Sequence, residues 1–450
     1  MTPKTSYTTR FSYAASDMGG QLIFQVVNLF LFIFYTDVLG LSAAVAGTIF
    51  FIARLEDAFD TPIWGIILDK TNSKYGKSRP WFLWLCVPFA LFGVLTFLTP
   101  EWSDKWKAIY AAVTYIVLGS IYTGINTPVT SILSALTADS KERVTLTSFR
   151  MIGSKAGVLL VNLSFFWMVA FWGEGDDAYG VMCTMIIFAS GSVLLYLLAF
   201  RNLKETVPVE HKPLPIKQAF KAFKGNWPWI IIFTSCLCFW VAFISRFIVI
   251  AHFFKYVWND EGLIKIFASL DAVSLVAIFM IPWFCKWSGK ANVWAFALAG
   301  SVLSQFVLYW GVETQSLPLL YVGWIAGVLT SGVALALPFS MLADSVDYGE
   351  WKTGVRAAGL LTAIGTAFCL KAGSGLGGAL PAWIMGATGF VANQAQSPEA
   401  IQGIVFGFVW IPAVFYGLAL VPVLFYRKFE TMEPQIQQEL EERRGVVSDV

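Results

Sequence analysis

One segment governs how the whole sequence is interpreted: R-L-E-D-A-F-D-T-P-I-W-G-I-I-L-D-K-T-N-S-K-Y-G-K-S-R-P-W, residues 54–81. It begins inside an apolar run, residues 47–68, that is long enough to form a membrane-spanning helix. Four charged side chains fall within that run: Arg54, Glu56, Asp57 and Asp60. A charge at membrane depth costs roughly 3 kcal/mol or more, so such residues face a polar interior and are commonly functional. These four charges therefore indicate a functional site inside a bundle of helices.

The spacing of the acids predicts a cation site. Asp57 and Asp60 are three residues apart, and Asp57 and Thr61 are four apart, so their oxygens share one helix face. From Asp69 to Arg79 the segment becomes a short basic loop. The segment therefore joins a candidate cation site to a cytoplasmic hinge.

Composition places the rest of the chain in the membrane. Of the 450 residues, 57% are apolar and 13% are charged, with 19 Trp and 39 Phe. A soluble chain has about twice that charged fraction. Apolar runs of about 20 residues recur from end to end, each long enough to cross about 30 Å of hydrocarbon. The sequence predicts an all-α polytopic protein of the cell membrane, with its six cysteines as buried apolar residues and without a structural metal.

Twelve spanning helices are predicted, in two bundles of six. The bundles are residues 1–201 and 226–426, the cytoplasmic linker is 202–225, and a cytoplasmic tail is 427–450. The predicted helices are 11–38, 43–69, 80–99, 106–137, 149–172, 179–201, 226–256, 262–287, 292–312, 318–343, 357–388 and 401–426. The triplet A-D-S ends the fourth helix of each half, at 138–140 and 343–345, which supports two repeats.

Basic loops set the predicted orientation. Lysines and arginines lie in loops 2–3, 4–5, 8–9 and 10–11, in the linker and in the tail, whereas loop 5–6, residues 173–179, carries only acids. The positive-inside rule therefore places both termini in the cytoplasm. Lys105 and Lys107 in loop 3–4 are the exception.

Predicted helix 1 has a polar stripe formed by Asp17, Gln21, Gln25 and Asn28. Their spacing places all four on one face, which must border a cavity or another helix. One interpretation is hydrogen bonding between helices. We prefer the wall of a sugar site, because amide groups both donate and accept hydrogen bonds, as sugar hydroxyls do.

Polar groups on three further helices complete the predicted substrate site. Tyr122, Asn126 and Thr130 lie on helix 4, together with Thr123, which is assigned to the cation site. Arg150 opens helix 5, either as a donor to sugar or as a side chain that reaches the membrane interface. Lys371 lies among small residues of helix 11, too deep to reach the interface easily, which favours a role in the cavity or in gating.

Charges of both signs in loops 2–3 and 10–11 predict salt bridges that close the cytoplasmic side, although two solvated loops would carry the same charges. The predicted gating residues are Asp69, Arg79, Asp344, Asp347, Glu350 and Arg356.

Motifs for catalysis or for nucleotide binding do not stand out, so an enzyme, an ATP-driven pump and a nucleic-acid partner are not predicted. Three other classes stay open: an intramembrane enzyme, a sugar sensor without net transport, and a transporter of an organic anion. In the last case Arg150, Lys155 and Lys371 would form the anion site.

Five motifs together resemble the glycoside–pentoside–hexuronide:cation symporters of the major facilitator superfamily. They are F-Y-T-D-V-L-G-L-S at 34–42, D-A-F-D-T-P at 57–62, G-K-S-R-P-W at 76–81, L-A-D-S-V-D-Y-G-E-W-K-T-G-V-R at 342–356 and G-F-V-A-N-Q-A-Q-S at 389–397. The resemblance covers nearly the whole chain. N-W-P-W at 226–229 is most similar to the xyloside-carrier branch, with the glucuronide carriers next.

The resemblance implies a cation site from Asp57, Asp60 and Thr123, with Thr61 where the melibiose carrier has an aspartate. It also implies a sugar site in which Gln21 and Asn126 replace two acids of that carrier. Arg150 and Lys371 match the family's basic residues. Because Gln21 and Asn126 are neutral, the sugar site is expected to differ in specificity.

The expected function is cation-coupled symport of a glycoside, of the xyloside or pentoside type, into the cell by alternating access. A glucuronide or another anionic solute is the alternative substrate. A proton is preferred to sodium as the coupling ion, and both stay open. No cofactor is expected, and the protein is expected to be a monomer in the bilayer.

Overall fold

The computed structural model describes residues 5–137, 140–205, 223–354, 361 and 364–448, and every regular element within those ranges is a helix. The first half of the chain forms α1 to α6, which are Tyr7–Ile33, Ala43–Lys70, Arg79–Leu95, Asp104–Leu136, Ser140–Gly173 and Asp177–Asn202. A π-helical turn, Phe34–Val38, extends α1. All-α architecture is therefore confirmed.

The second half forms α7 to α12 by the same numbering. These are Trp227–His252 with a π turn at Phe253–Val257, Gly262–Ser269 with Ser274–Ser288, Lys290–Glu313, Leu317–Thr353, Cys369–Ala387, and Pro398–Val405 with Ile411–Ser448. The two parts of α8 are joined by a 3-10 turn, Leu270–Val273, and those of α12 by a π turn, Phe406–Trp410.

The chain divides into two compact units that do not coincide with its two halves. The first unit comprises Met1–His211, Ile250–Ser269 and Met385–Ile401. The second comprises Lys212–Val249, Leu270–Ile384 and Gln402–Val450. Four helices of the second half, α7, α8, α11 and α12, therefore contribute end segments to the first unit. The predicted division at the linker stays a prediction, and most of that linker lies outside the described residues.

Nine helices among the described residues are long and apolar enough to cross a membrane. Three of the predicted spans are not among the nine, each for its own reason. Helix α2 has sufficient length but carries the charges of the opening segment. Helix α3 has 17 residues. Predicted helix 11 begins at residues that lie outside the described ranges. Both the count of twelve spans and the cytoplasmic termini stay predictions.

Predicted boundaries are wrong where charged residues continue a helix: α5 begins at Ser140 and not at 149, α10 ends at Thr353 and not at 343, and α12 ends at Ser448 and not at 426. Residues 344–353 were assigned to loop 10–11 because they are charged, but α10 continues to Thr353 and ends only where Gly354 adopts φ +70°. Charge alone does not end a helix, whereas a left-handed glycine does. Predicted helix 8 was continuous, but it is interrupted at Leu270–Val273, where the Ser274 hydroxyl donates to the Asp271 carbonyl at 2.6 Å. Side-chain bonds of this kind compete with the helical pattern.

In the first unit, one carboxylate binds the backbone of the loop that precedes α3, an arrangement that we call a clasp. Glu205, just beyond α6, accepts hydrogen bonds from the backbone N–H groups of Lys77, Ser78 and Arg79 at 3.0, 2.7 and 3.1 Å. Gly76 makes this approach feasible, because its φ is +105° and a Cβ there would lie 2.6 Å from the carboxylate. The acid also compensates the positive N-terminal end of α3.

The second unit has a corresponding clasp. Glu430 on α12 accepts from the backbone N–H of Lys290 at 2.5 Å, at the start of α9, next to Gly289 with φ +79°. The tail helix then packs on its own unit: Ile436 and Leu440 are buried, and the Trp351 indole donates to Glu439 at 2.6 Å. The predicted tail is thus the continuation of α12.

Candidate functional site

Three carboxylates of α2 lie together inside the first unit. The ligand oxygens of Glu56, Asp57 and Asp60 are all within 4.8 Å of one another. Asp57 and Asp60 are 6% and 4% exposed. The helix brings them together because Glu56 and Asp60 are four residues apart and Asp57 and Asp60 three. Carboxylates this close repel one another when they carry charge, so a positive charge among them is stabilising.

Asp57 contacts both its own helix and α4. Its Oδ2 lies 3.0 Å from Nη1 of Arg54, and its Oδ1 accepts a hydrogen bond from the Thr123 hydroxyl on α4 at 3.3 Å. Gly119, one turn before Thr123, leaves room, since a Cβ there would lie 3.7 Å from Asp57 Oδ1. The structure thus brings together three of the four predicted cation-site residues. The fourth, Thr61, lies on α2, but its side chain is outside what the structure describes.

Arg54 supplies a positive charge to this cluster. Besides the bond to Asp57, its Nη2 approaches Asn28 Oδ1 on α1 at 3.5 Å. Its guanidinium lies over the rings of Phe24 and Tyr115, 5.4 and 5.9 Å from their centroids. Two aromatic rings therefore stabilise the guanidinium next to the acid with which it pairs. A coupling cation that uses Asp57 has to share this carboxylate with Arg54 or displace it.

A second polar cluster joins α1, α4 and α5 in the same unit. Arg150 Nη2 lies 3.1 Å from Asp17 Oδ1 and donates to Asn126 Oδ1 at 3.2 Å. Its Nη1 donates to the Thr130 hydroxyl at 3.3 Å. The Arg150 and Asp17 side chains are 22% and 14% exposed, so the group is partly accessible. Three predicted substrate-site residues, Asp17, Asn126 and Thr130, therefore contact the guanidinium of a fourth, Arg150.

Aromatic rings lie between the two clusters. Tyr122 stacks on Phe24 with centroids 4.1 Å apart and an angle of 10° between the planes. Phe24 is also the ring under Arg54, so α1 connects the cation cluster to α4 through one aromatic pair. Gly20 permits this packing, because a Cβ there would lie 2.9 Å from Tyr196 Oη and 3.1 Å from Tyr122 Cε2. Movement of Arg54 can thus displace Phe24 and Tyr122, and Tyr122 is one helical turn before Asn126 of the Arg150 cluster.

The other two residues of the predicted stripe differ from each other. Gln21 lies beside α5, where Gly157 allows close approach: a Cβ on Gly157 would lie 3.0 Å from the Gln21 Cβ. Gln25 donates through Nε2 to Asn162 Oδ1 at 2.9 Å, and Asn162 Nδ2 donates to the Ala268 carbonyl of α8 at 3.2 Å. Gln25 therefore makes the interhelical contact that was the alternative to sugar binding.

Lys371 lies on α11 in the second unit and is half-buried. Its assignment to the substrate site stays a prediction.

Arg79 and Asp344, two of the predicted gating residues, make contacts within their own units. Arg79 donates through Nη2 to the Phe200 carbonyl at 2.8 Å, at the end of α6. Asp344 accepts from Lys290 Nζ at 2.6 Å, and Lys290 also approaches Glu433 at 3.4 Å. Asp347 and Glu350 lie on α10 near its end. Arg356 lies outside the described residues, as does the side chain of Asp69.

Sequence analysis did not assign Asn162 to any site. It is 1% exposed and is a single amide in the apolar run V-L-L-V-N-L-S-F-F. The same argument that found the stripe on helix 1 applies to it, because an isolated buried amide in a membrane helix needs a partner. Glu56 was noted as a charge but not assigned to the cation site, although its spacing from Asp60 was visible.

Long apolar helices that carry two polar clusters are typical of a polytopic membrane transporter. A family model described as MFS/sugar transport protein matches residues 12–427, and the chain belongs to this family of the major facilitator superfamily. It is therefore a multi-pass protein of the cell membrane.

Curated relatives match over nearly their whole length. An isoprimeverose transporter of Lactiplantibacillus pentosus is 40% identical over 443 residues, which is 98% of this chain and 92% of that one. A glucuronide carrier protein homolog of Escherichia coli (strain K12) is 30% identical over 464 residues, covering 100% of both chains. The resemblance that the sequence motifs indicated is confirmed by these matches.

Solved structures show the same fold. The crystal structure of the nucleoside transporter NupG superimposes with a TM-score of 0.64 at 15% identity, covering 94% of this chain and 99% of that chain. At this identity the likeness concerns the fold alone.

Proposed function

We propose that this protein is a cation-coupled symporter that imports a xylose-containing or other pentose-containing glycoside. The observation that carries the proposal is the pairing of two clusters in one unit: the carboxylates Glu56, Asp57 and Asp60, and the Asp17–Arg150 ion pair. The relatives support the class of substrate, since one is an isoprimeverose transporter. Twelve spans, cytoplasmic termini and a monomeric state are part of this proposal.

The carboxylate cluster suits the coupling cation. Asp57 and Asp60 supply negative oxygens, and the Thr123 hydroxyl supplies a neutral one at 3.3 Å from Asp57. A proton on one acid, or a sodium ion between them, would offset the repulsion between the carboxylates. Either ion would weaken the hold of Asp57 on Arg54. Since Arg54 lies over Phe24, and Phe24 stacks on Tyr122, this release is a route by which the cation affects the sugar site.

The Arg150 cluster suits a neutral sugar. The guanidinium offers donors, whereas Asp17 and Asn126 offer acceptors, so neighbouring sugar hydroxyls can both donate and accept. The charge of Arg150 is already balanced by Asp17 at 3.1 Å. A glucuronide would bring a second carboxylate to this guanidinium. The geometry therefore favours a neutral glycoside, with the glucuronide as the alternative that one relative supports.

The driving force is sufficient for uphill import. One cation that crosses a potential of about 100 mV supplies about 2.3 kcal/mol. This corresponds to an approximately 50-fold gradient of sugar, since about 1.4 kcal/mol changes an equilibrium tenfold.

Uptake of a labelled β-xyloside into proteoliposomes tests the proposal, with an imposed pH gradient in one arm and an imposed sodium gradient in the other. Accumulation in either arm supports symport and names the ion. Equilibration without accumulation in both arms would contradict cation coupling. Strong inhibition by a glucuronide, with accumulation of the glucuronide itself, would instead assign the anionic substrate.

A further inference from the structure

Asp37 is a buried acid at the end of helix 1 that the two clusters do not use. It lies in the π turn Phe34–Val38, and its side chain is 4% exposed. On the orientation that the basic loops predict, this turn is at the outer end of the helix. From Gln21 to Asp37 the helix spans roughly 24 Å at 1.5 Å per residue, so Asp37 lies far from the Arg150 cluster along α1.

The Asp37 carboxylate accepts from the neighbouring Thr36 hydroxyl through Oδ1 at 2.7 Å, whereas its Oδ2 is bound by residues of the second half of the chain. Lys255 Nζ lies 2.6 Å from its Oδ2, and the Tyr256 hydroxyl donates to the same oxygen. Asn393 donates through Nδ2 to the Asp37 carbonyl, and its own backbone N–H donates to the Tyr256 hydroxyl at 2.9 Å. Lys255 also donates to Asn393 Oδ1 at 3.2 Å. These four residues, Asp37, Lys255, Tyr256 and Asn393, form a closed ring of bonds that we call the outer latch.

The outer latch lies wholly within the first unit, as do the contacts beneath it. The Thr36 hydroxyl is 2.9 Å from Nε2 of His252, which is fully buried. Phe390 packs edge-on against His252, with centroids 5.4 Å apart. Gly386 meets the start of α2, where a Cβ would lie 3.1 Å from the Ala44 nitrogen. Segments 250–269 and 385–401 are thereby fastened to the ends of α1 and α2.

A deeper bond connects the same segments to the polar stripe. Asn162 on α5 joins Gln25 to the Ala268 carbonyl, and Ala268 is one residue from the end of the first part of α8. Gln25 is one helical turn beyond Gln21 on α1. Segment 250–269 is therefore also held, through Asn162, to Gln25 of the polar stripe.

From this arrangement we infer that the outer latch holds the outer side of the transporter closed and opens for sugar to enter from outside. The inference rests on the proposed function, because alternating access requires the first-half helices to part from segments 250–269 and 385–401 on one side of the membrane. An ionic closure suits this task. When the segments part, water solvates Asp37 and Lys255, so the cost of breaking the pair is largely offset.

Of the two acids near Lys255, only Asp37 belongs to the outer latch. Asp37 is the acid of the ring, and Lys255 and Tyr256 both converge on its Oδ2. Glu261 is the second acid near Lys255, but it is 3.9 Å away and 57% exposed. Neutralising Asp37 should thus release the latch, whereas neutralising Glu261 should not. Asp37→Asn and Glu261→Gln are a matched pair of variants, each removing one negative charge near the same lysine.

Thiol accessibility tests the latch without reference to any substrate. The parent is a variant in which the six native cysteines are replaced by alanine and Gln21→Cys reports on the stripe. In right-side-out vesicles, a membrane-impermeant maleimide is applied from the outer side. Loss of one hydrogen-bonded charge pair shifts a two-state equilibrium by about tenfold or more. Asp37→Asn should raise the labelling rate by about that factor, and Glu261→Gln should leave it within about twofold.

Three outcomes would overturn the inference: an unchanged rate in Asp37→Asn, an equal rise in Glu261→Gln, or a rise that occurs only when the maleimide is applied from the inner side. Folding of each variant is checked by size-exclusion chromatography. If Asp37→Asn does not fold, Lys255→Gln decides the question, since it removes the other charge of the pair. Labelling needs no sugar, so a latch that opens while xyloside uptake fails would count against the proposed substrate and not against the latch.

Discussion

Arg54 and Asp57 form an ion pair one helical turn apart inside α2, with Nη1 3.0 Å from Oδ2. The acid that is best placed to bind a coupling ion is thus already bound to a positive charge of the protein. Ion binding and release of Arg54 are therefore alternatives at one carboxylate, and this exchange is the basis of the first prediction.

Asp57→Asn is expected to abolish uphill accumulation while sugar exchange continues. The amide no longer holds the ion or the guanidinium by charge, whereas the Arg150 cluster is untouched. In proteoliposomes, the accumulation ratio should fall to about 1, with counterflow of labelled xyloside retained, because a single missing charge removes the roughly 50-fold drive. Glu101→Gln, an exposed acid before α4, serves as the control and should accumulate normally. Undiminished accumulation in Asp57→Asn would refute the assignment of the cation site.

Thr123→Val is expected to separate sodium from proton coupling. The hydroxyl donates to Asp57 at 3.3 Å and can turn its oxygen towards a metal ion, which valine cannot do. If sodium is the coupling ion, the sodium concentration for half-maximal uptake should rise on the order of tenfold, and Thr123→Ser should restore it. If the proton is the coupling ion, Thr123→Val should keep most of its pH-driven uptake. A large loss that Thr123→Ser does not restore would mean that the position matters through packing alone.

Asp17→Asn is expected to shift preference towards anionic glycosides. The substitution keeps the shape of the side chain but leaves the Arg150 charge without its acid at 3.1 Å. A glucuronide carboxylate can then take that place. Inhibition of xyloside uptake by a glucuronide should strengthen by about tenfold, as for one added hydrogen bond to a charged group. Asp177→Asn, an exposed acid in the first turn of α6, is the control. The same inhibition constant in Asp17→Asn and its parent would show that Arg150 does not meet the sugar's acid group.

The Thr5–Arg10–Glu142 contact predicts loss of stability in acid. Glu142 precedes the apolar span that begins at Thr145. The Thr5 hydroxyl lowers the pKa of Glu142, burial opposes this shift, and Arg10 at 2.9 Å lowers the pKa further. A carboxyl whose folded pKa is lowered stabilises the fold above its unfolded pKa of about 4.3, and this contribution is lost as the pH falls through the folded value.

The melting temperature of detergent-solubilised protein at different pH values checks this expectation. The wild-type protein should lose stability below about pH 4.3 more steeply than Glu142→Gln, which lacks the titrating group. Glu174→Gln, in the loop between α5 and α6, should follow the wild-type protein. Parallel pH profiles for the wild-type protein and Glu142→Gln would show that the contact has no measurable weight.

Local spacing accounts for what the sequence could predict about the site. Asp57 and Asp60 share a face because the helical repeat requires it, and that repeat is visible in the sequence. The polar face of helix 4 was visible in the same way, so Asn126 and Thr130 could be assigned before their contact with Arg150 was known.

Partners that are remote in the chain could not be predicted in this way. Asp37 and Lys255 are 218 residues apart, and each occurs as one charge near the end of an apolar run. Such a charge is expected at any helix end that meets water. The burial of Asp37 depends on how the second half of the chain folds back, and periodicity carries no information about that. That segments 250–269 and 385–401 belong to the first unit could not be predicted for the same reason.

The clasp of Glu205 has a mechanical consequence. Glu205 lies near the start of the predicted linker, so tension along the linker would act first on a carboxylate that accepts from three backbone N–H groups at the start of α3. This force would pass into the loop between α2 and α3, and from there to the end of α2, which carries the three acids. Glu430 connects the tail to the start of α9 in the same way, because it accepts from the backbone N–H of Lys290. In each half of the chain, movement of a flanking segment can thus be transmitted through one carboxylate to the start of the third helix, at the end that the basic loops predict to be cytoplasmic.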